Sequence, residues 1–304
     1  MNRYLKEFQT HADYEAFITT DDYLTPNVSY CEDDGELHYN HYVHDYRRDY
    51  LTFEAIESGQ FAFVALNNNV IFYSLDDGET WVELPSETYT PTLNTGDKIL
   101  WKGEMTPFVD DFSVENSGIG LFSATAKFNA MGNPMSLLFG DNYFGQYDLT
   151  GKPRAFANLF RNQRNIVSCE NMPLVATTLS ERCYINMFKA CSELVNIQPI
   201  LPATTLTEYC YANMFINCTK IEKAPVLPAE TLADGSYIGM FGLSDKVNYV
   251  KALFLDDTTL NAKLMSWLSG VASNGTFVKN NNATWNRDDA LIPSGWTIIT
   301  ESQE

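Results

Sequence analysis

The stretch Leu179-Ser-Glu-Arg-Cys183-Tyr184-Ile-Asn-Met187-Phe188-Lys-Ala-Cys191 returns 27 residues later as Leu206-Thr-Glu-Tyr-Cys210-Tyr211-Ala-Asn-Met214-Phe215-Ile-Asn-Cys218. A third copy keeps Leu232, Tyr237 and Met240-Phe241, and Leu159-Phe160 is a degenerate first one. Ala176-Thr-Thr-Leu179, Ala203-Thr-Thr-Leu206 and Ala229-Glu-Thr-Leu232 follow the same steps of 26–28 residues. A unit of that length cannot bury its apolar face alone. Copies must stack, and stacking makes one continuous core of Leu, Met, Phe and Cys.

Within each unit a short apolar stretch reads as a strand: Ile166–Glu170, Leu194–Gln198, Ile221–Pro225 and Val247–Lys251. The first residue of each, and the one three later (Cys169, Ile197, Ala224, Val250), are expected to point inward. The side chains between them would line an open face: Ser168, Glu170, Asn196, Gln198, Lys223, Tyr249 and Lys251. Of these, Glu170, Asn196, Gln198, Lys223, Tyr249 and Lys251 are the candidate ligand-binding residues. Four of the six cysteines sit at the repeat period, so they read as small buried hydrophobes rather than disulfide partners. No Cys-x-x-Cys pair marks a metal site, and no cofactor is implied.

The pattern Leu-x-x-x-Cys-Tyr-x-x-Met-Phe-x-x-Cys followed by Leu-Pro-Ala-Thr-Thr-Leu resembles the BspA-like leucine-rich repeats of gut Bacteroides surface proteins and their bacteriophages. Trp267–Lys279 together with Ile292–Ile298 resembles the cap that ends such arrays. Thr259 is placed to N-cap a helix over Leu260–Leu268, stopped near Gly270. Ser236 and Ser244 stand in the fourth unit where Cys would be expected, as in a terminal unit adapting to its cap.

Residues 49–145 have a different texture. Runs of strand length recur at Phe61–Leu66, Val70–Tyr73, Trp81–Leu84, Ile99–Trp101, Ile119–Phe122 and Met135–Phe139, separated by Gly, Asn and Asp. They predict a β-sandwich-like domain. Ser74-Leu-Asp-Asp-Gly-Glu-Thr-Trp81 resembles the Asp-box of sialidases, which in that family is a structural hairpin remote from catalysis.

Residues 1–48 form an acidic leader. Thr10 with Asp13 predicts a short helix to about Ile18, and Asn27–Cys31 with Leu37–Tyr39 predicts a hairpin. The passages Thr10–Phe17, Pro26–Cys31 and His38–Asn40 resemble the leader of virion proteins of crAss-like and related gut phages. His38, His41 and His44 are spaced three apart. On extended chain that spacing sends neighbours to opposite faces, so one strand cannot converge them on an ion; a metal shared between subunits is the alternative.

The chain of 304 residues carries 39 acidic and 20 basic side chains, a net charge of −19. That balance argues against nucleic acid and anionic membrane as partners. Met1–Phe8 has no apolar signal core, which predicts a chain that is not exported by a secretory signal. No Gly-x-Ser-x-Gly elbow, phosphate loop or calcium loop is present, and adjacent acidic pairs diverge in direction. The expected fold is therefore mainly β with short helices. It comprises an N-terminal docking segment (1–48), a β-sandwich-like domain (49–145), about four leucine-rich coils (146–250) and a cap (251–304). The expected function is a non-enzymatic phage virion protein, a capsid or tail fibre. Its partners would be other virion proteins, further copies of itself (a trimer, or a dimer) and a host surface glycan or protein. A bacterial surface adhesin and a glycan-active enzyme are the alternatives.

Overall fold

The computed structural model describes residues 4–8, 27–31, 37–39, 45–66, 69–105, 120–255 and 259–304. The chain divides into two compact units, Met1–Arg48 and Asp49–Glu304. In the first, β1 (Tyr4–Phe8) pairs parallel with β2 (Asn27–Cys31), and β2 pairs antiparallel with β3 (Leu37–Tyr39). The last two are the anticipated hairpin, with Ser29 opposite His38; β1 was not anticipated. The helix expected over residues 10–18 lies outside the described residues, as do His41 and His44.

The second unit is mainly β. It opens with β4 (Leu51–Ala55), β5 (Phe61–Phe63), β6 (Ile71–Ser74), β7 (Val82–Leu84), β8 (Lys98–Gly103), β9 (Phe122–Ala124), β10 (Phe128–Met131) and β11 (Ile166–Ser168). Six of these form one sheet in the order β11-β10-β4-β8-β6-β7, while β5 and β9 form a separate ribbon. Phe53, on the central strand, has the rings of Phe61, Trp101, Phe122, Phe128 and Phe160 within 4.8–5.8 Å. Most of these pairs are tilted and one, Phe53 with Phe122, is edge-on, packing that fixes geometry beyond simple burial. The Asp-box stretch closes the β6–β7 hairpin. Asp76 accepts from the Thr80 backbone N–H at 2.9 Å, Ser74 Oγ accepts from Gly78 N–H, and the Trp81 indole N–H donates to the Gly78 carbonyl.

Met135–Phe139, expected as a strand, is instead the single helical turn α1 (Ser136–Phe139). An apolar run of five has no periodicity to separate the two states. Side-chain chemistry decides: Asn133 Oδ1 accepts from Met135 N–H at 3.0 Å and starts the turn. Ser136 Oγ then donates to the Trp101 carbonyl and accepts from Leu51 N–H, tying α1 to the sheet.

From Arg154 onward the chain winds in coils joined by a strict alternation of backbone hydrogen bonds. The N–H groups of Arg182, Tyr184, Asn186, Phe188 and Ala190 donate to the carbonyls of Glu208, Cys210, Ala212, Met214 and Ile216 in the next coil, at 2.8–3.0 Å. The residues between them, from Cys183 to Cys191, donate instead to carbonyls three positions back in their own coil. The same pattern links Arg154–Asn162 to Glu181–Lys189 and Tyr209–Asn217 to Asp234–Gly242. Its conformational signature is a positive φ at every fourth residue: Arg154, Asn158 and Asn162; Arg182, Asn186 and Ala190; Tyr209, Asn213 and Asn217; Gly235, Gly239 and Leu243. That region is costly for most side chains, and Asn and Gly tolerate it best.

The side chains between these backbone rungs form parallel ladders. Phe122, Phe160, Phe188, Phe215 and Phe241 stack in series at centroid separations of 5.4–5.7 Å. Phe156, Tyr184, Tyr211, Tyr237 and Trp267 stack likewise at 5.4–6.3 Å. Met187, Met214 and Met240 are fully buried, as are Cys169, Cys183, Cys191, Cys210 and Cys218, all free thiols. The thiols also bond. Cys191 and Cys218 donate to the carbonyls of Phe160 and Phe188 at 3.0 Å, and Ser244 makes the equivalent bond to Phe215 at 2.8 Å. The serine thus preserves the ladder's hydrogen bond in the unit where the cysteine is lost. Burial pushes the Cys210 and Cys218 thiols up to about 12.

The stack is closed at both ends. Phe122 N–H donates to Leu159 O at one end. At the other, β12 (Tyr249–Ala252), β13 (Gly275–Lys279) and β14 (Trp296–Thr300) make a parallel sheet. The indoles of Trp267, Trp285 and Trp296 are anchored on the carbonyls of Ala290, Phe254 and Ala272. The helix expected over Leu260–Leu268 is only one turn, α2 (Leu260–Lys263). Thr259 makes no side-chain cap, and the helix goes no further because Leu264–Gly270 is taken up as a further rung, in which Phe241 N–H donates to Trp267 O and Leu243 N–H to Ser269 O. The strands expected at 194–198 and 221–225 reduce to single parallel bridges, Ser168↔Asn196 and Lys223↔Tyr249.

Two substitutions test this account by urea unfolding. Phe215→Ala removes the middle of a stacked column and costs about 3–5 kcal/mol. Gly239→Ala sets a methyl at positive φ, 2.2 Å from Asn213 Oδ1, and costs about 1–3 kcal/mol. A Gly239→Ala protein as stable as the parent would contradict the left-handed rung.

Candidate functional site

The expected recognition row lies on one side of the stack. Parallel bridges set Ser168 beside Asn196 and Lys223 beside Tyr249. Cys169, Ala224 and Val250 are buried, and Glu170, Asn196 and Lys223 are exposed, as the strand pattern required. The second coil departs from it. Gln198 is only 1% exposed, while Ile197 is half-exposed. Gln198 therefore does not stand on the open face. Its Oε1 takes a 3.5 Å hydrogen bond from the buried Cys169 thiol, and that polar partner lets an amide replace the expected apolar residue. Its Nε2 has no hydrogen-bond partner among the described residues.

Between the second and third coils runs a groove of about 390 Å³. Glu170, Asn196, Gln198, Lys220, Glu222 and Lys223 supply its polar lining; Val195, Ile197, Pro199 and Val226 supply its apolar lining. Four of the six predicted ligand-binding residues thus meet at one concavity. Lys220 is tied to Glu193 at 2.8 Å, and Lys127 approaches the same carboxylate at 3.9 Å. Lys223 makes no ion pair among the described residues. Its ammonium instead sits 4.7 Å from the Tyr249 ring centroid.

The other two predicted residues are already engaged. Tyr249 OH donates to Glu304 Oε1, and Lys251 Nζ donates to Glu304 Oε2 at 2.7 Å and approaches Glu301 at 3.7 Å. Glu301 opens the 3₁₀ turn Glu301–Gln303 and Glu304 follows it directly; a capping box between Thr300 and Gln303 closes the turn. Hydrogen bonds from Lys251 and Tyr249 hold the Glu304 carboxyl below its usual range, and the Glu304 carboxylate raises Lys251. Burial, then the Glu304 hydrogen bond and charge, push Tyr249 up to about 12. Nothing in the sequence linked Glu301 and Glu304 to Tyr249 and Lys251, more than 45 positions away.

A second groove, of about 620 Å³, lies between Thr204–Leu206 and Pro228–Ala233. The repeated Ala-Thr-Thr-Leu phrase brings Thr204, Thr205 and Thr231 there, with Glu230 as its sole ionisable lining residue. It is larger but chemically poorer than the first, which carries donors, acceptors and both signs of charge. The first groove is accordingly the candidate site. Among the described residues no cluster of His, Cys, Asp and Glu could hold a metal ion. No helix there is long and apolar enough to cross a membrane.

The contact of Glu304 with Tyr249 and Lys251 has a pH window. A depressed carboxylate pKa stabilises above the ordinary glutamate value of about 4.3 and the benefit is lost as pH falls. A raised lysine pKa stabilises below about 10.4 and is lost as pH rises through the folded value. The contact therefore holds between these limits. NMR titration of the Tyr249 ring should give a midpoint near 12, lower in Glu304→Gln but still above the free value of about 10 because burial remains; an unchanged midpoint would contradict the contact.

No protein-family model, curated protein or solved structure matches the chain.

Proposed function

We propose that the stacked coils are a BspA-like leucine-rich-repeat solenoid, and that the protein is a non-enzymatic virion component, a capsid or tail fibre of a Bacteroides phage. The observation that carries the adhesive part is the row Glu170–Asn196–Lys223–Tyr249 beside a groove on a rigid stack. Its side chains are positioned by backbone rungs rather than by loops, which favours repeated, low-cost surface contact. The virion part is supported by the phage-like leader. That leader forms a unit of its own, Met1–Arg48, suited to docking on other virion proteins.

In this reading the leader docks on capsid or tail, residues 49–145 act as spacer, and the coils meet a host surface glycan or protein. Assembly as a trimer or dimer would multiply a weak single-site contact. With 39 acidic side chains against 20 basic, the chain lacks the Lys/Arg stripe that a nucleic-acid backbone or an anionic membrane surface needs. The protein would be made in the host cytoplasm and carried in the particle. Mass spectrometry of purified particles is the test: the chain should be recovered at stoichiometric copy number, and its absence from particles would refute the virion assignment.

A further inference from the structure

Tyr249 and Lys251 already hold a carboxylate. The Glu304 group sits against the Tyr249 hydroxyl and 2.7 Å from the Lys251 ammonium, with Glu301 at 3.7 Å. Beside them, Lys223 lies over the Tyr249 ring without an ion pair among the described residues. In a chain with only 20 basic residues, two lysines flanking one half-buried tyrosine make a defined anion site. The carboxylates filling it are carried by a three-residue turn, Glu301–Gln303, and by Glu304 directly after it.

We propose that this is the carboxylate-reading end of the recognition groove, and that Glu304 is an internal stand-in for the carboxylate of an acidic polysaccharide. The idea rests on the adhesive reading above and names its ligand class. A uronate-bearing chain would place a carboxylate between Tyr249 and Lys251 and lay its neighbouring sugars along the groove. The groove supplies what sugar hydroxyls need: acceptors at Glu170 and Glu222, donors at Asn196 and Lys223. An extended peptide fits less well, because it would bind through backbone hydrogen bonds. Here backbone N–H groups such as those of Val195 and Ala224 are already spent on the carbonyls of Val167 and Tyr249.

Displacement of Glu304 must accompany binding, so relieving it should strengthen binding. The test uses the full chain, with polygalacturonate as probe, dextran as the neutral control and polyglutamate as the acidic-peptide control, at fixed ionic strength. Glu301→Gln/Glu304→Gln should bind polygalacturonate at least tenfold more tightly than the parent. Adding Lys223→Ala and Lys251→Ala to that variant should abolish the gain, and dextran should not bind. Thermal unfolding of each variant confirms that the fold is retained. The proposal falls if neither protein binds polygalacturonate, if binding survives loss of both lysines, or if polyglutamate binds equally well. Attachment of the parent protein to host cells separates the two readings. Attachment without polygalacturonate binding would refute this ligand and leave adhesion standing; no attachment would refute adhesion itself.

Discussion

Along Arg154–Asn162, Arg182–Ala190 and Tyr209–Asn217 every second backbone N–H is donated to the next coil, and that single constraint shapes the rest of the second unit. A residue whose N–H leaves its own coil cannot also close a local turn, so the intervening residue closes it instead, three positions back. The two demands are reconciled only if the chain enters the left-handed region every fourth residue. The arrangement satisfies the backbone completely while holding successive coils in register. Side chains at equal positions then meet face to face. The strain of left-handed residues, of order 1–3 kcal/mol each where the side chain is neither Asn nor Gly, is offset by these bonds. Stacked rings add about 0.5–1.5 kcal/mol per pair beyond their burial.

This explains what was legible and what was not. Met187, Met214 and Met240, the phenylalanines and the cysteines shared a period, and period alone was enough to stack them. The asparagines carried the same signal: Asn158, Asn186 and Asn213 recur at 28 and 27 residues, and Gly239 follows at 26. Reading them as left-handed positions would have revealed the backbone pattern as well as the core. The central strands β4 and β10 were missed for a different reason. Leu51-Thr-Phe-Glu-Ala55 alternates, but it directly follows the charged Asp45–Asp49 segment, and Phe128-Asn-Ala-Met131 holds a polar residue in a four-residue strand. Their burial comes from partners far along the chain. The short apolar run Met135–Phe139 became helical through Asn133 and Ser136, which no periodicity registers.

At the candidate site the sequence located the row but not its partners. Glu170, Asn196 and Lys223 stand where strand alternation put them. Gln198 turned inward because a thiol 29 positions earlier waits for an acceptor, and Tyr249 and Lys251 were claimed by Glu304. Each departure is a long-range polar contact, the kind of term a local pattern omits. The consequence for function is specific. The face is not a bare row of solvated side chains: it carries a groove, and Tyr249 and Lys251 of the same row hold the Glu304 carboxylate.

Amide hydrogen exchange of the native chain, followed residue by residue, tests the inter-coil hydrogen bonds most directly. Tyr184, Phe188, Tyr211 and Phe215, whose N–H groups cross between coils, should be protected to a common level close to global unfolding, since no coil can open without its neighbours. Exchange of these four amides at rates typical of exposed loops, or protection differing widely from one coil to the next, would contradict a shared stack.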